Sequence, residues 1–244
     1  MAKTAAIVVI GNEILSGKTK DENSIFLSRE LRSLGVDVRK ISVIPDELQT
    51  IADEVRISSQ AYDNVFTTGG VGPTHDDLTM HGIARAFGQK IRRNPELEAA
   101  LRGYYPPALV EPNLLMADVP EESTLICRPG MWFPVVVVRN VYIFPGVPEI
   151  LQRKFMKIRE LFMEAPYHLV EVYLQADEGQ IVRILHFVLE KYPKLQLGSY
   201  PYFTKPDYSI KLTLESKDAD YLASAHSLLL SELSRIDLQP VQPS

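Results

Sequence analysis

Three short apolar runs constrain this chain more than any other feature, because each is closed by a glycine turn and followed by an amphipathic run. Ala5–Ile10 ends at Gly11, Asn64–Thr67 leads into Thr68-Gly69-Gly70, and Val141–Phe144 leads into Pro145-Gly146. Continuous apolar runs of this length read as strands buried in a parallel sheet. The runs that follow carry helical spacing: Leu27, Leu31 and Leu34 before Gly35; Met80, Ile83, Ala84 and Phe87 before Gly88; Ile150, Leu151, Phe155 and Ile158. A further strand, Val36–Val43, precedes the turn Ile44-Pro-Asp46 and a helix bearing Leu48, Ile51, Ala52 and Val55. This β–α alternation to about residue 163 predicts a doubly wound, mostly parallel α/β sheet. Right-handed crossovers then bring the strand-end loops to one edge, where such folds hold ligands.

Local signals refine the picture. Thr19-Lys-Asp-Glu22 is a capping-box pattern, as is Asp46 with Gln49. Capping and ligand contact do not exclude one another at Asp46, because the cap lies at the strand-end edge. Asn94-Pro95 predicts an N-cap and first helical residue, with the helix running to Leu101 and Gly103 beyond it. Tyr104–Pro112 is rich in proline and aromatics and is expected to be irregular, as a lid or a packed connection. Thr124–Cys127, Val135–Val138 and Val141–Phe144 read as short strands, the last two joined by a tight turn at Arg139-Asn140. From Ala165 the order becomes strand His168–Leu174, helix Asp177–Leu189, strands Gln196–Tyr202 and Tyr208–Leu214, and helix Lys217–Leu233. The expected organisation is a domain over 1–164, a small α+β domain over 165–238, and a loose tail over 239–244. Gly198-Ser-Tyr-Pro201 reads equally as a bulged strand end or as a ligand contact.

The chemistry concentrates in Thr67-Thr-Gly-Gly-Val-Gly-Pro-Thr-His-Asp-Asp-Leu-Thr79. Glycines let a backbone approach a ligand and aim N–H groups at it, and the following helix N-terminus adds partial positive charge. Gly69, Gly70, Gly72, Pro73 and Thr74 are therefore candidates to hold a diphosphate. No Lys-Ser/Thr follows the glycines, and the Gly-x-Gly-x-x-Gly spacing is missing, so this is neither a P-loop nor a dinucleotide fingerprint. The bland alternative is a tight turn with aspartates at a helix start. Asp76 and Asp77 would repel a bare phosphate, which points to a divalent cation or a sugar hydroxyl between them. Gly11, Asn12 and Glu13 follow the first strand at the same edge. His75 and His81 do not have a usual metal-ligand spacing across this turn.

Composition excludes several classes. Of 244 residues, 45% are hydrophobic and 23% charged, as in ordinary soluble domains. A formal net charge of -5 argues against a nucleic-acid groove. The single cysteine, Cys127, cannot form an intrachain disulfide and fits a reducing, cytoplasmic setting. No apolar run reaches the roughly 18 residues of a membrane span, and the N-terminal apolar run is too short for a signal peptide.

Gly11-Asn-Glu-Ile-Leu15, Asp46, Gly69–Thr79 and Phe144-Pro-Gly-Val-Pro148 together resemble the MoaB/Mog-type molybdopterin-binding superfamily, and within it the competence/damage-inducible protein A (CinA) branch. Phe133–Glu149 and Gly198–Pro201 look most like the molybdopterin-binding-type domain of FAD synthases. The resemblance implies a three-layer Mog-like α/β domain followed by the small one. It also implies metal-dependent cleavage of the pyrophosphate in a nucleotide compound such as ADP-ribose or FAD, with Mg²⁺ or Co²⁺ and often potassium. Catalytic work would then fall to Asp76, Asp77 and Asp46, metal binding to Asp76, Asp77 and Glu13, and ligand contact also to Pro145, Gly146 and Pro148. The stretch Cys127–Phe133 departs from the Gly-x-Ala-Pro-Gly-Phe segment often found in the CinA branch, which bears on substrate more than on chemistry. Neither deamidation nor FAD synthesis is carried over. The alternatives are a non-catalytic molybdopterin- or nucleotide-binding protein, and a molybdopterin adenylyl- or molybdenum-transferase. The expected partner is a nucleotide or pterin small molecule, with self-association into a homo-oligomer and neither nucleic acid nor membrane.

Overall fold

A computed structural model describes residues 3–204 and 207–242. The chain divides into two compact units, 1–164 and 165–244. In the first, β1 (Thr4–Ile10), a helical turn α1 (Asn12–Leu15), α2 (Asn23–Ser33), β2 (Asp37–Ile44), α3 (Leu48–Ala61), β3 (Asn64–Thr68) and α4 (Thr79–Phe87) follow one another. Then come β4 (Ile91–Arg93), α5 (Pro95–Tyr104), α6 (Pro107–Asn113), β5 (Asp118–Pro120), β6 (Thr124–Ile126), β7 (Val135–Val138), β8 (Val141–Phe144) and α7 (Pro148–Met156). The main sheet has the order β2-β1-β3-β8-β7-β6. Its first four strands are parallel; β7 and β6 complete it antiparallel. The doubly wound, mostly parallel architecture is therefore present.

The layers follow from alternation along β1. Ala6, Val8 and Ile10 pack into one core with Ile51, Val55, Ile83, Leu97 and Leu101. Ala5, Ile7 and Val9 pack into a second with Leu27, Leu31, Leu151 and Phe155. A strand covered on both faces has no polar side to show, which is why its sequence reads as an unbroken apolar run. Phe66 on β3 anchors the second core through Tyr142, Phe144, Phe155 and Phe162, at ring-centroid distances of 5.0 to 6.4 Å.

Several local expectations are corrected. α2 starts at Asn23 rather than after a Thr19 cap; Asp21 accepts from the Ser24 N–H at 2.9 Å instead. Asp46 does not cap α3, whose flanking residue is Glu47 with no side-chain cap bond. Tyr104–Pro112 is not irregular: α5 runs to Tyr104 and α6 follows, with Pro107 in its first turn, where a missing N–H is tolerated. The Asn94 cap holds, accepting from the Glu96 and Leu97 N–H groups. Arg139 takes φ 55° in the β7–β8 turn, and Gly88 ends α4 in the left-handed region.

The second unit is β9 (His168–Leu174), α8 (Glu178–Lys191), β10 (Gln196–Pro201), β11 (Ile210–Ser216) and α9 (Ala219–Ser234), with an antiparallel sheet of order β10-β11-β9. Asp177 and Gln180 form a full capping box for α8. Gly198–Pro201 pairs with β11 in unbroken register, so it is not a bulge; the Ser199 hydroxyl donates to Glu178. The tail is held as far as Val241, whose N–H donates to the Tyr173 carbonyl; residues 243 and 244 lie outside the described residues. Among the described residues no helix is long and apolar enough to cross a membrane.

Gly82 marks where α3 and α4 approach most closely. A Cβ there would lie 2.3 Å from Ile51 Cγ2. Gly82→Ala is expected to destabilise the first unit by about 1–3 kcal/mol through overpacking, against the roughly 1 kcal/mol that alanine favours in an open helix. The urea midpoint measures it; a raised midpoint would show that the helices part without strain.

Candidate functional site

The loops after β1, β2, β3 and β8 meet at one edge because those four strands are parallel. The glycine loop after β3 is tethered at three points. Gly69 N–H donates to the Phe144 carbonyl at 3.2 Å, Thr79 Oγ1 donates to the Gly69 carbonyl at 2.7 Å, and Thr79 N–H donates to the Gly70 carbonyl at 3.0 Å. Gly69 has φ 102°, and a Cβ on it would lie 2.0 Å from the Ile10 carbonyl oxygen. Gly70, at φ 60°, faces Thr79 Oγ1 and the Asp46 carboxylate in the same way. Only glycine suits these two positions.

Among the described residues, no intramolecular acceptor meets the N–H groups of Gly70, Val71 and Gly72. They border a cleft of about 250 Å³ lined also by Pro73, Thr74, His75, Asp77, Met80 and His81. Met80 and His81 belong to the first turn of α4, so the positive end of a helix adjoins the cleft. Two expected donors are already engaged: the Gly69 N–H as above, and the Thr74 N–H, which donates to Asp77 at 2.8 Å.

Asp76 and Asp77 converge on one hydroxyl. Thr74 Oγ1 lies 2.7 Å from Asp76 Oδ1 and 2.5 Å from Asp77 Oδ2. The single hydroxyl proton can serve only one of them at a time. The Thr74 hydrogen bond holds the Asp76 carboxyl below its usual range. Asp46 lies beside Gly70, and its Oδ2 accepts from the Asn12 N–H at 2.8 Å, which ties the loop after β1 to the one after β2. Glu13 does not join these aspartates. Its carboxylate folds back beside Gly11 and lines a separate cavity of about 60 Å³ with Asn23, Thr68, Gly146 and Pro148.

The expected metal set Asp76, Asp77 and Glu13 is thus not assembled; among the described residues no three His, Cys, Asp or Glu side chains gather to hold an ion. Asp76 and Asp77 do fit the manner in which Mg²⁺ binds through one or two carboxylates, with substrate phosphates completing its oxygen shell.

Residues outside the sequence-derived set complete the edge. Asn23 Nδ2 donates to Thr68 Oγ1 at 2.9 Å and to the Gly146 carbonyl at 2.7 Å, and Thr68 Oγ1 donates to the Pro145 carbonyl at 2.9 Å. These bonds join the ends of β3 and β8. A Cβ on Gly146 would lie 3.4 Å from the Gly69 α-carbon, so the third loop runs beside the second. An apolar cavity of about 70 Å³ adjoins the cleft; Val71, Met80 and Met116 line both. Lys154 of α7 lines the apolar cavity. Its Nζ donates to the Pro134 carbonyl at 2.8 Å and lies 5.0 Å from the centre of the Phe133 ring, and burial lowers its pKa to about 8. The signal for Lys154 was present in the sequence: it falls four residues after Ile150 and three after Leu151, on the core-facing stripe of α7.

Below pH 8 the folded chain carries the cost of a buried ammonium. Between about 8 and the ordinary value of 10.5 the unfolded chain binds more protons, so stability rises with pH. Relative to Lys154→Met, the wild type is expected to gain on the order of 2 kcal/mol over that interval, read from urea unfolding at each pH. Parallel curves for the two proteins would place the ammonium in water.

Comparisons with known proteins place the chain in a family. Residues 6–164 match the family described as "Probable molybdopterin binding domain", and residues 166–242 match "FAD synthase, middle domain". A "Probable FAD synthase" of Caenorhabditis briggsae is 35% identical over 95% of this chain. The chain spans 49% of that relative's length. A protein of Archaeoglobus fulgidus is 36% identical over 90% of this chain and 93% of its own length. Among solved structures, the CinA protein "with unknown function" from Thermoplasma acidophilum aligns with TM-score 0.60 and 31% identity, covering 66% of this chain and all of that one. The chain belongs to the MoaB/Mog-type molybdopterin-binding superfamily, in its CinA-like branch, with a domain of the FAD-synthase middle type following the molybdopterin-binding one.

Proposed function

We propose that the chain hydrolyses the pyrophosphate of a nucleotide compound such as ADP-ribose or FAD, in the cleft bordered by the glycine loop. The observation that carries this reading is one arrangement: three backbone N–H groups that meet no acceptor among the described residues, beside two carboxylates that share one hydroxyl proton. The N–H groups of Gly70, Val71 and Gly72 hold one phosphate and stabilise charge that develops on its oxygens. Asp76 and Asp77 would hold a divalent cation, which would supply charge neutralisation at the diphosphate. Mg²⁺ or Co²⁺, when bound, neutralises phosphate charge and lowers the pKa of an adjacent water. In the alternative arrangement one of these carboxylates serves instead as general base, taking the proton of the attacking water as that water's oxygen bonds to phosphorus and the P–O bond to the bridging oxygen breaks. Asp46 keeps the Asn12 loop against this edge rather than touching the reacting atoms. The names of the relatives, FAD synthase and CinA, support a nucleotide ligand.

A second reading has an observation in its favour. The lack of a three-ligand metal group among the described residues suits a module that binds a nucleotide or molybdopterin without turning it over, the aspartates then meeting sugar or pterin groups.

Purified protein incubated with ADP-ribose, FAD, NAD or ATP, each with Mg²⁺, Co²⁺ or EDTA, separates the two by chromatography of products. AMP with ribose phosphate, or AMP with FMN, is expected only when metal is present. The double change Asp76→Asn and Asp77→Asn is expected to lower that turnover at least about a hundredfold, since both charges facing the cation go, while an amide oxygen still accepts from the Thr74 N–H. Undiminished turnover in the double variant would remove the aspartates from the mechanism. No product from any compound, with tight nucleotide or pterin binding by calorimetry, would establish the binding module.

A further inference from the structure

The apolar cavity beside the glycine loop is lined by one charged side chain, Lys154, that nothing in the proposed chemistry uses. Trp132, Phe133, Met80 and Met116 form much of its wall. Trp132 is itself backed by Tyr104, stacked at 4.0 Å, so its position is set from behind. Flat aromatic and thioether surfaces suit a planar ring. Lys154 stands at this wall. Its ammonium is buried and makes a hydrogen bond to the Pro134 carbonyl, although it has three donors to place. Among the described residues it has no carboxylate partner. A buried cation left this way is costly unless something else meets it.

We propose that the edge of the heteroaromatic base of the nucleotide whose diphosphate lies over Gly70–Gly72 enters this cavity of about 70 Å³ from the adjoining cleft, and that Lys154 donates to an acceptor on that edge. The proposal rests on the nucleotide reading of the cleft and adds the ring subsite and its specificity residue. Three features support it. The cavity adjoins the glycine-loop cleft through Val71, Met80 and Met116, so a phosphate and a ring of one molecule span the two. The wall is apolar and aromatic, which excludes a sugar or a free phosphate as the better occupant. The one convergent polar group is a donor, which selects a ring presenting a carbonyl oxygen or an unprotonated nitrogen. Arg153 and Lys157 line a neighbouring cavity that shares Lys154, Trp132 and Phe133 with this one, and Asp77, His81 and Asp118 line the adjoining cleft.

An acceptor meeting the ammonium favours its charged form. The free protein's Lys154 titrates at about 8, so base binding raises that value and draws in a proton. Affinity for a base-bearing ligand is therefore full below pH 8 and falls as pH rises above it.

The test compares ADP with inorganic pyrophosphate by calorimetry, both in Mg²⁺, on wild type and Lys154→Met. Wild type is expected to bind ADP more tightly than pyrophosphate, with ADP affinity falling as pH is raised through about 8. Lys154→Met is expected to lose about tenfold toward ADP, keep its pyrophosphate affinity, and show no such fall with pH. Retained pyrophosphate binding shows that the variant is folded. If the variant weakens both ligands alike or neither, or if wild-type ADP affinity is flat through that pH interval, the ring subsite is wrong while the phosphate cleft stands. If neither ligand binds wild type, the nucleotide reading fails, and the ring subsite with it.

Discussion

The approach of Gly69 to the Ile10 carbonyl is the constraint on which this edge depends. Three strand ends meet there. The Gly69 α-carbon side presses on β1, its N–H is taken by Phe144 at the end of β8, and its carbonyl is taken by Thr79 at the start of α4. Both polar groups of Gly69 are engaged, and the next three residues border the cleft with N–H groups that meet no acceptor among the described residues. Donors held this way cost little reorganisation when an anion arrives, since their direction is set by bonds already made. Asn23 performs the same work on the other side, joining Thr68 to the Gly146 carbonyl. Glycine is required at Gly69, where the backbone is left-handed and a Cβ would lie 2.0 Å from the Ile10 carbonyl oxygen, whereas a Cβ on Gly146 would meet Gly69 only at 3.4 Å.

Much of this was legible in the sequence, and the failures share a cause. Strands covered on both faces announce themselves as continuous apolar runs, so β1, β3 and β8 and their loops were readable, and with them the edge where ligands sit. Capping patterns were read as local devices, yet the Asp46 carboxylate bonds to Asn12, 34 residues earlier. A side chain that accepts equally well from a neighbouring or a distant N–H carries no local mark of which it serves. Tyr104–Pro112 misled because prolines near a helix start are permitted rather than disruptive. Glu13 was grouped with Asp76 and Asp77 because all follow strand ends, and strand order does not say which way a side chain folds. Its carboxylate turned back over Gly11, where there is no Cβ to exclude it.

Lys154 shows the converse, a residue whose meaning was visible but unread. A lysine on the apolar stripe of α7 contradicts the pattern around it, and such contradictions gather where a ligand supplies what the core lacks. Charge makes the same argument at the aspartates. Two carboxylates aimed at one threonine hydroxyl hold more negative charge than that proton can offset. Beside donors suited to a phosphate they would oppose binding unless a cation came with the ligand. On the proposed reading each of these features is half of an interaction whose other half travels with the substrate: phosphate oxygens for the free N–H groups, a cation for the aspartates, and a ring acceptor for the lysine. A site built of such halves discriminates by completeness. A molecule bringing phosphate without a base leaves the buried Lys154 ammonium unmet and forfeits more than the contact it fails to make.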